Sequence, residues 1–177
     1  MLGILLADSA SVSQAIDRAK AAPDLADVRI FLMDDGVLAA RELAPLIDDG
    51  VEIIACATDA EARGLAAGDT DVRFGSQYDH ALMVRDATSL ATFTGCGIDR
   101  VEIPVKRVGI RLTRNLHGKL HHGLRAALAY AALGMGVSVS VDEPARASLS
   151  HPELERALAT LRRFGTSSGT PDLEIRW

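Results

Sequence analysis

The sequence predicts an α/β fold with a mostly parallel sheet and helices on both faces. Short apolar runs alternate with helical segments, 48% of the residues are apolar, and only 4% are aromatic. Alternation of strand and helix is typical of parallel strands joined by right-handed crossovers. Few aromatic residues among many Ala, Leu, Val and Gly suit close packing of helices on a sheet better than a β-sandwich.

The first 95 residues predict five strands separated by helices. Each expected strand is a short apolar run bounded by turn residues, and the runs cover 4–6, 28–33, 51–55, 72–74 and 90–93. The expected helices cover 12–22, 40–48, 58–65 and 77–86. Thr58-Asp-Ala-Glu61 has the pattern of a capping box, which predicts Thr58 as the N-cap of the third helix.

The alternation restarts after an expected linker at residues 96–106. Strands are expected at 108–112, 137–141 and 173–177, with helices at 117–133 and 151–164. Gly3-Ile-Leu-Leu and Gly109-Ile-Arg-Leu open two similar runs, which Val51-Glu-Ile-Ile-Ala-Cys56 and Leu173-Glu-Ile-Arg-Trp177 close. We therefore expect a domain at 1–95 and a truncated second β-α-β-α-β unit at 107–177, with chance similarity of two α/β segments as the alternative.

Charge is distributed unevenly along the chain. Residues 1–97 carry 7 Lys/Arg and 16 Asp/Glu, whereas residues 98–177 carry 12 and 8, which gives nets of -9 and +4 and the formal total of -5. A net negative charge argues against nucleic acid as the main partner. The opposite signs would let the two halves attract one another, within one chain or between chains, with solvated faces that happen to differ as the alternative. We predict self-association on this basis.

Nothing in the sequence predicts a membrane partner. No apolar run approaches the roughly 20 residues that cross a bilayer. The opening Met1-Leu-Gly-Ile-Leu-Leu-Ala-Asp is more typical of a first strand than of a signal peptide, because it lacks a positive segment and soon meets an acid. We expect a cytoplasmic protein, in which Cys56 and Cys96 would not form a structural disulfide.

Cys56 is the strongest candidate for chemistry. It follows the third predicted strand, and the crevices at the carboxyl ends of parallel strands are where open α/β sheets bind ligands. Amides at the start of the next helix would favour a thiolate, as would Arg63, whereas Asp59 and Glu61 would oppose it. On position alone, a small buried side chain is the commoner use of such a cysteine.

Four segments carry a more specific pattern. They are Phe31-Leu-Met-Asp-Asp-Gly-Val37, Gly50-Val-Glu-Ile-Ile-Ala-Cys56 with its continuation to Arg63-Gly64-Leu65, Phe74-Gly-Ser-Gln-Tyr-Asp79, and Phe93. Together they resemble the DsrE/TusD family (DsrE/DsrF/DsrH) of sulfur-relay proteins. The resemblance covers residues 1–95 and implies a flavodoxin-like three-layer fold. It also implies that Cys56 accepts sulfane sulfur, with Arg63 and Gly64 as the Arg-Gly pair that follows the family's cysteine.

Other candidates are weaker. Cys96 lies between Gly95 and Gly97 and would serve as a second, resolving thiol only if the fold brings it near Cys56. His117 and His121 are four residues apart on a predicted helix, but no nearby Cys or acid completes a metal site, so we expect neither a metal nor another cofactor. A basic stretch with alternating apolar residues fits a half-exposed strand or an anion-binding surface, and it comprises Arg107, Arg111, Arg114 and Lys119.

The sequence therefore predicts a cysteine-dependent sulfur carrier, or a component of a sulfurtransferase, that holds a persulfide on Cys56. Supporting positions would be Thr58, Arg63 and Gly64. A small sulfur-carrier protein and like subunits are the expected partners. The alternatives are a non-catalytic binding or oligomerisation module, in which Cys56 is merely packed, and a small-ligand binding protein with an apolar crevice.

Overall fold

The computed structural model describes residues 1–95, 98–101, 105–113, 117–146, 150–165 and 170–176. The chain divides into two compact units, Met1–Pro104 and Val105–Trp177. We call them the first and the second unit. Each has its own sheet, and the two sheets differ in strand order.

The first unit contains six described strands. They are β1 (Leu2–Leu6), β2 (Val28–Leu32), β3 (Glu52–Cys56), β4 (Arg73–Gly75), β5 (Ser89–Phe93) and β6 (Ile98–Val101). Their order in the sheet is β4-β3-β2-β1-β5-β6, in which β1 to β5 are parallel and β6 is an antiparallel edge strand. The predicted α/β fold with a mostly parallel sheet is confirmed. Part of the expected linker, residues 98–101, belongs to this sheet as β6.

The helices of the first unit are short. They are α1 (Val12–Lys20), α2 (Ala40–Leu43), α3 (Pro45–Asp48), α4 (Ala57–Ala62) and α5 (Gln77–Asp86). Residues 40–48 form two single-turn helices where one was expected, because Pro45 has no N–H to donate to an earlier turn and begins α3 instead. A 3-10 turn over Asp34–Ala39 joins β2 to α2.

Alternate strand residues bury two different faces of the sheet. One face packs against α1, α2 and α3, and its core comprises Leu2, Ile4, Leu6, Val28, Ile30, Leu32, Ile53, Ala55, Ala91 and Phe93. The opposite face packs against α5, where a Cβ added at Gly3 would meet Leu90 Cδ1 at 2.8 Å and Met83 Cγ at 3.3 Å. Cys56 lies on the α5 side, in register with Gly75 of β4.

One glycine fixes the 3-10 turn to the end of β1. A Cβ at Gly36 would lie 2.1 Å from the carbonyl oxygen of Leu6, which is closer than any real contact. The backbone N–H of Met33 donates to the same oxygen at 3.0 Å. The turn therefore rests directly on the carboxyl end of β1, and only glycine permits this approach.

The second unit forms the expected β-α-β-α-β series. Its described elements are β7 (Arg107–Leu112), α6 (His117–Ala132), β8 (Gly136–Val141), α7 (Glu143–Arg146), α8 (Pro152–Phe164) and β9 (Leu173–Arg176). All strands are parallel in the order β8-β7-β9. The third strand pairs with the first strand here, whereas β3 pairs with β2 in the first unit. The second unit thus has the expected elements, but not the strand order of a copy of β1-β2-β3.

Candidate functional site

Cys56 lies at the last position of β3 and is itself the N-cap of α4. The expected capping box at Thr58 does not form the start of this helix. Helical dihedrals begin at Ala57, immediately after the strand, so Thr58 lies within the first turn with its side chain exposed. Cys56 is fully buried, whereas the next two residues, Ala57 and Thr58, are exposed.

The amide group of Gln77 contacts two sulfur atoms. Its Nε2 lies 3.8 Å from Cys56 Sγ and 3.8 Å from Met33 Sδ, both within hydrogen-bonding range for sulfur. Its Oε1 lies 3.1 Å from Nδ1 of His80, one helical turn further along α5. A donor directed at Cys56 favours the anionic form of that sulfur.

His80 is enclosed on the same side of the sheet. Its ring stacks on Phe31 of β2, with centroids 5.0 Å apart and an interplanar angle of 12°. The side chain is fully buried, and burial lowers the pKa of His80 to about 3. The histidine is therefore neutral at physiological pH and supplies a hydrogen-bonding ring instead of a charge.

The start of α5 places these two residues. Ser76 is the N-cap, and its Oγ accepts the backbone N–H of Tyr78 at 3.2 Å. Asp79 Oδ2 accepts the backbone N–H of Ser76 at 2.7 Å and completes a capping box. Because Gly75 and Cys56 are register partners, the helix begins at the level of the thiol.

Arg63 is the C-cap residue of α4 and contacts the 3-10 turn that follows β2. Its Nη2 forms ion pairs with Asp34 and with Asp35, the latter at 2.7 Å. The backbone N–H of Asp34 donates to Asp59 Oδ2 at 2.9 Å, and both aspartates are buried. The guanidinium thus offsets the acidic charge of Asp34 and Asp35, and it contacts Asp59 only at its backbone oxygen.

Gly64 has a structural role at the end of α4. Its φ of +73° is left-handed, its N–H bonds to Glu61 O at 3.0 Å, and the Leu65 N–H bonds to Ala60 O at 2.9 Å. This pair of bonds is a Schellman motif, which glycine favours. In this chain the Arg-Gly pair therefore ends the helix and ties it to the turn after β2.

Sequence reasoning missed Gln77, His80 and Met33 as neighbours of Cys56. A local signal was present, because Ser76-Gln-Tyr-Asp79 is a capping-box pattern and Gln77 and His80 are three apart on the expected helix. The missing information was long-range. Only the pairing of β4 with β3 brings the start of α5 to the thiol.

The remaining candidates lie elsewhere. Cys96 and Arg114 fall outside the described residues, as do the side chains of His117 and Lys119. Arg107 pairs with Asp172 at 3.3 Å and Arg111 with Asp142 at 3.2 Å within the second unit. His121 Nδ1 lies 3.7 Å from Glu153 Oε2. Among the residues that the structure describes, no group of three or more His, Cys, Asp or Glu side chains is arranged to hold a metal ion.

None of the helices in the described part of the chain has the length and apolar character required to cross a membrane. The sequence matches no family model and no curated protein.

Proposed function

We propose that this protein carries sulfane sulfur on Cys56 and passes it to a partner thiol. The observation that carries the proposal is the hydrogen bond from Gln77 Nε2 to Cys56 Sγ, at the carboxyl end of a parallel strand. Open α/β sheets bind ligands at such strand ends, and a donor to sulfur favours the thiolate that attacks sulfur. The resemblance to sulfur-relay proteins supplies the choice of sulfur as cargo.

The proposed step conserves atoms and electrons. The Cys56 thiolate attacks the terminal sulfur of a donor persulfide, the S–S bond of the donor breaks, and the donor leaves as a thiolate. Cys56 then holds a persulfide. A partner thiolate attacks the terminal sulfur in turn, which restores the Cys56 thiolate without any external oxidant or reductant.

Burial of Cys56 constrains this scheme. The thiol is fully enclosed, so a partner reaches it only after a local displacement of the surrounding side chains. The next two residues along the chain, Ala57 and Thr58, are exposed. Sulfur transfer would therefore be limited by opening of the site.

The same burial favours a second candidate function, a non-catalytic binding or oligomerisation module in which Cys56 only packs. Arg63 fits this alternative as well, because it is engaged in ion pairs with Asp34 and Asp35.

In either case we propose a cytoplasmic protein that associates with like subunits through its acidic and basic halves. Light scattering at low and high salt tests the association, since an electrostatic contact weakens as salt is added.

Intact mass after exposure to inorganic polysulfide distinguishes the two functions. We expect the wild-type protein to gain about 32 Da per sulfur atom and Cys56→Ser to lose this gain. The matched control is Cys96→Ser, which retains the gain. If the wild-type protein takes up no sulfur, and Cys56 is alkylated only in denaturant, the binding-module function replaces sulfur carriage.

A further inference from the structure

We infer that Gln77 is the positioning residue for the Cys56 sulfur, and that Met33 and His80 hold its amide with the N–H side toward that sulfur. The inference deepens the proposed function and rests on it for its biological meaning. It names the group that would stabilise an anionic sulfur at this site. One buried amide, that of Gln77, contacts Cys56, Met33 and His80.

The first constraint comes from Met33. A thioether sulfur has no proton and only accepts hydrogen bonds. Met33 Sδ lies 3.8 Å from the terminal atom of Gln77 that also contacts Cys56, so this atom is the amide nitrogen. An amide oxygen in its place would face the lone pairs of Met33. Met33 therefore acts as a fixed acceptor beside the reactive sulfur.

The second constraint comes from His80. With Nε2 directed at the two sulfurs, Oε1 of Gln77 faces His80 Nδ1 at 3.1 Å. An amide oxygen only accepts, so Nδ1 carries the proton of the neutral ring. Stacking on Phe31 fixes the plane of the His80 ring. Because the ring is neutral at physiological pH, it has one N–H donor, at Nδ1.

These contacts give the amide one consistent orientation. Gln77 is 6% exposed, so water does not readily replace either partner. Rotation of the amide by 180° would place oxygen against the lone pairs of Met33 and would require His80 to adopt its other neutral tautomer, so the contact with Met33 is the one that fixes the orientation. Cys56 therefore faces an N–H donor that needs no reorganisation when negative charge forms on the sulfur.

Charged and titratable groups on the elements around the thiol also affect its pKa. They are Asp34 and Asp35 in the turn after β2, Asp59 and Arg63 on or beside α4, Arg73 on β4, and Asp79 and His80 on α5. Substitution of Gln77 by Leu removes no charged group, and of these groups only His80, which contacts Gln77 Oε1, loses a hydrogen-bond partner. A change in the thiol titration of that variant therefore reports the lost amide donor.

The test is a titration of thiolate absorbance at 240 nm in a Cys96→Ser background, with the same protein carrying Cys56→Ser as the blank. We expect Gln77→Leu to raise the midpoint by about one pH unit, because a hydrogen bond to an anion is lost. Gln77→Glu should raise it further. The matched control is Gln14→Leu, at an exposed position of α1, which should leave the midpoint unchanged. An unchanged or lowered midpoint in Gln77→Leu overturns the inference.

A second pair of variants tests the orientation by His80. His80→Phe keeps an aromatic ring against Phe31 but removes the donor, so the midpoint should rise. His80→Asn places an amide N–H near the position of Nδ1 and should restore much of the original value. Equal midpoints for the two variants would contradict the role of His80. Circular dichroism establishes that each variant is folded before it is titrated.

These outcomes separate the inference from the proposed function. Polysulfide loading of the wild-type protein measures sulfur carriage, whereas the midpoint measures the donor to Cys56. If the protein takes up sulfur and Gln77→Leu titrates as wild type, sulfur carriage stands and Gln77 has no positioning role. If it takes up no sulfur and the midpoint rises in Gln77→Leu, the donor role stands and sulfur carriage fails.

Discussion

Protonation of the His80 ring would destabilise the folded protein. It is fully buried, it stacks on Phe31, and burial lowers its pKa to about 3. An unfolded histidine titrates near pH 6.5. As pH falls from 6.5 towards 3, the unfolded chain therefore binds a proton that the folded chain does not, and folding stability declines across this interval. Above pH 6.5 the group has no such effect.

We predict that His80→Phe reduces the loss of stability in mild acid. Between pH 6.5 and 5, a histidine with this pKa costs the folded state about 2 kcal/mol, and the variant is spared that cost. Urea unfolding at pH 7 and at pH 5 measures the difference. Carboxylates titrate in both proteins, so the comparison isolates His80. Equal losses of stability in the two proteins would contradict the assigned burial of a neutral ring.

Helix α5 shows how one short element supports the site. Ser76 and Asp79 cap it reciprocally, and Arg73 Nη1 donates to Asp79 Oδ1 at 3.1 Å. Burial acts to raise the pKa of Asp79, but hydrogen bonds from Ser76 and Arg73 outweigh this effect and hold the pKa below its ordinary value. The carboxylate therefore stays charged, and the cap stays formed, at neutral pH.

We expect Ser76→Ala to destabilise the protein by about 1 kcal/mol, because the first turn of α5 loses its side-chain acceptor. Chemical denaturation at neutral pH measures this change. Ser13→Ala is the matched control, since Ser13 is exposed on α1 and alanine there is neutral or slightly favourable. Equal stabilities of the two variants would show that the cap contributes nothing.

Elements with strong local signals were predictable from the sequence, and the site was predictable only in part. Buried strands appear as short apolar runs, so β1, β2 and β3 were located within one or two residues. The start of α4 was misplaced because Thr58-Asp-Ala-Glu61 imitates a cap, while Cys56 itself takes that position. The neighbours of Cys56 depend on pairing between strands distant in sequence, which local patterns do not encode.

The two units have similar strand and helix series but different sheets. The third strand of the second unit, β9, lies beside β7, at the position that β5 occupies beside β1. Residues 173–176 are therefore placed like β5 and not like the strand that carries Cys56. Periodicity locates strands along a chain but does not determine their order, so this difference was not visible in the sequence.

Engineered disulfides test the order β8-β7-β9. Arg111 and Arg176 are register partners on adjacent strands, with an expected separation of about 5 Å, so Arg111→Cys with Arg176→Cys should oxidise readily. Ser140 also pairs with Arg111, but from the other side. The pair Ser140→Cys and Arg176→Cys should not form a disulfide, because β7 lies between these positions and separates them by about 10 Å. Mass analysis in a background lacking Cys56 and Cys96 provides the readout, and bridging of the second pair alone would refute the order.

The contact of Gly36 with β1 determines which side of the thiol site can move. The turn that holds Asp34 cannot swing away from the Leu6 carbonyl without breaking a backbone hydrogen bond. The ion pair between Arg63 and Asp34 connects the end of α4 to that turn, so α4 and the turn are held together on this side of the site. On the opposite side of the site lies β4, a three-residue strand at the edge of the sheet. We therefore expect any displacement that exposes the Cys56 sulfur to occur on the β4 side.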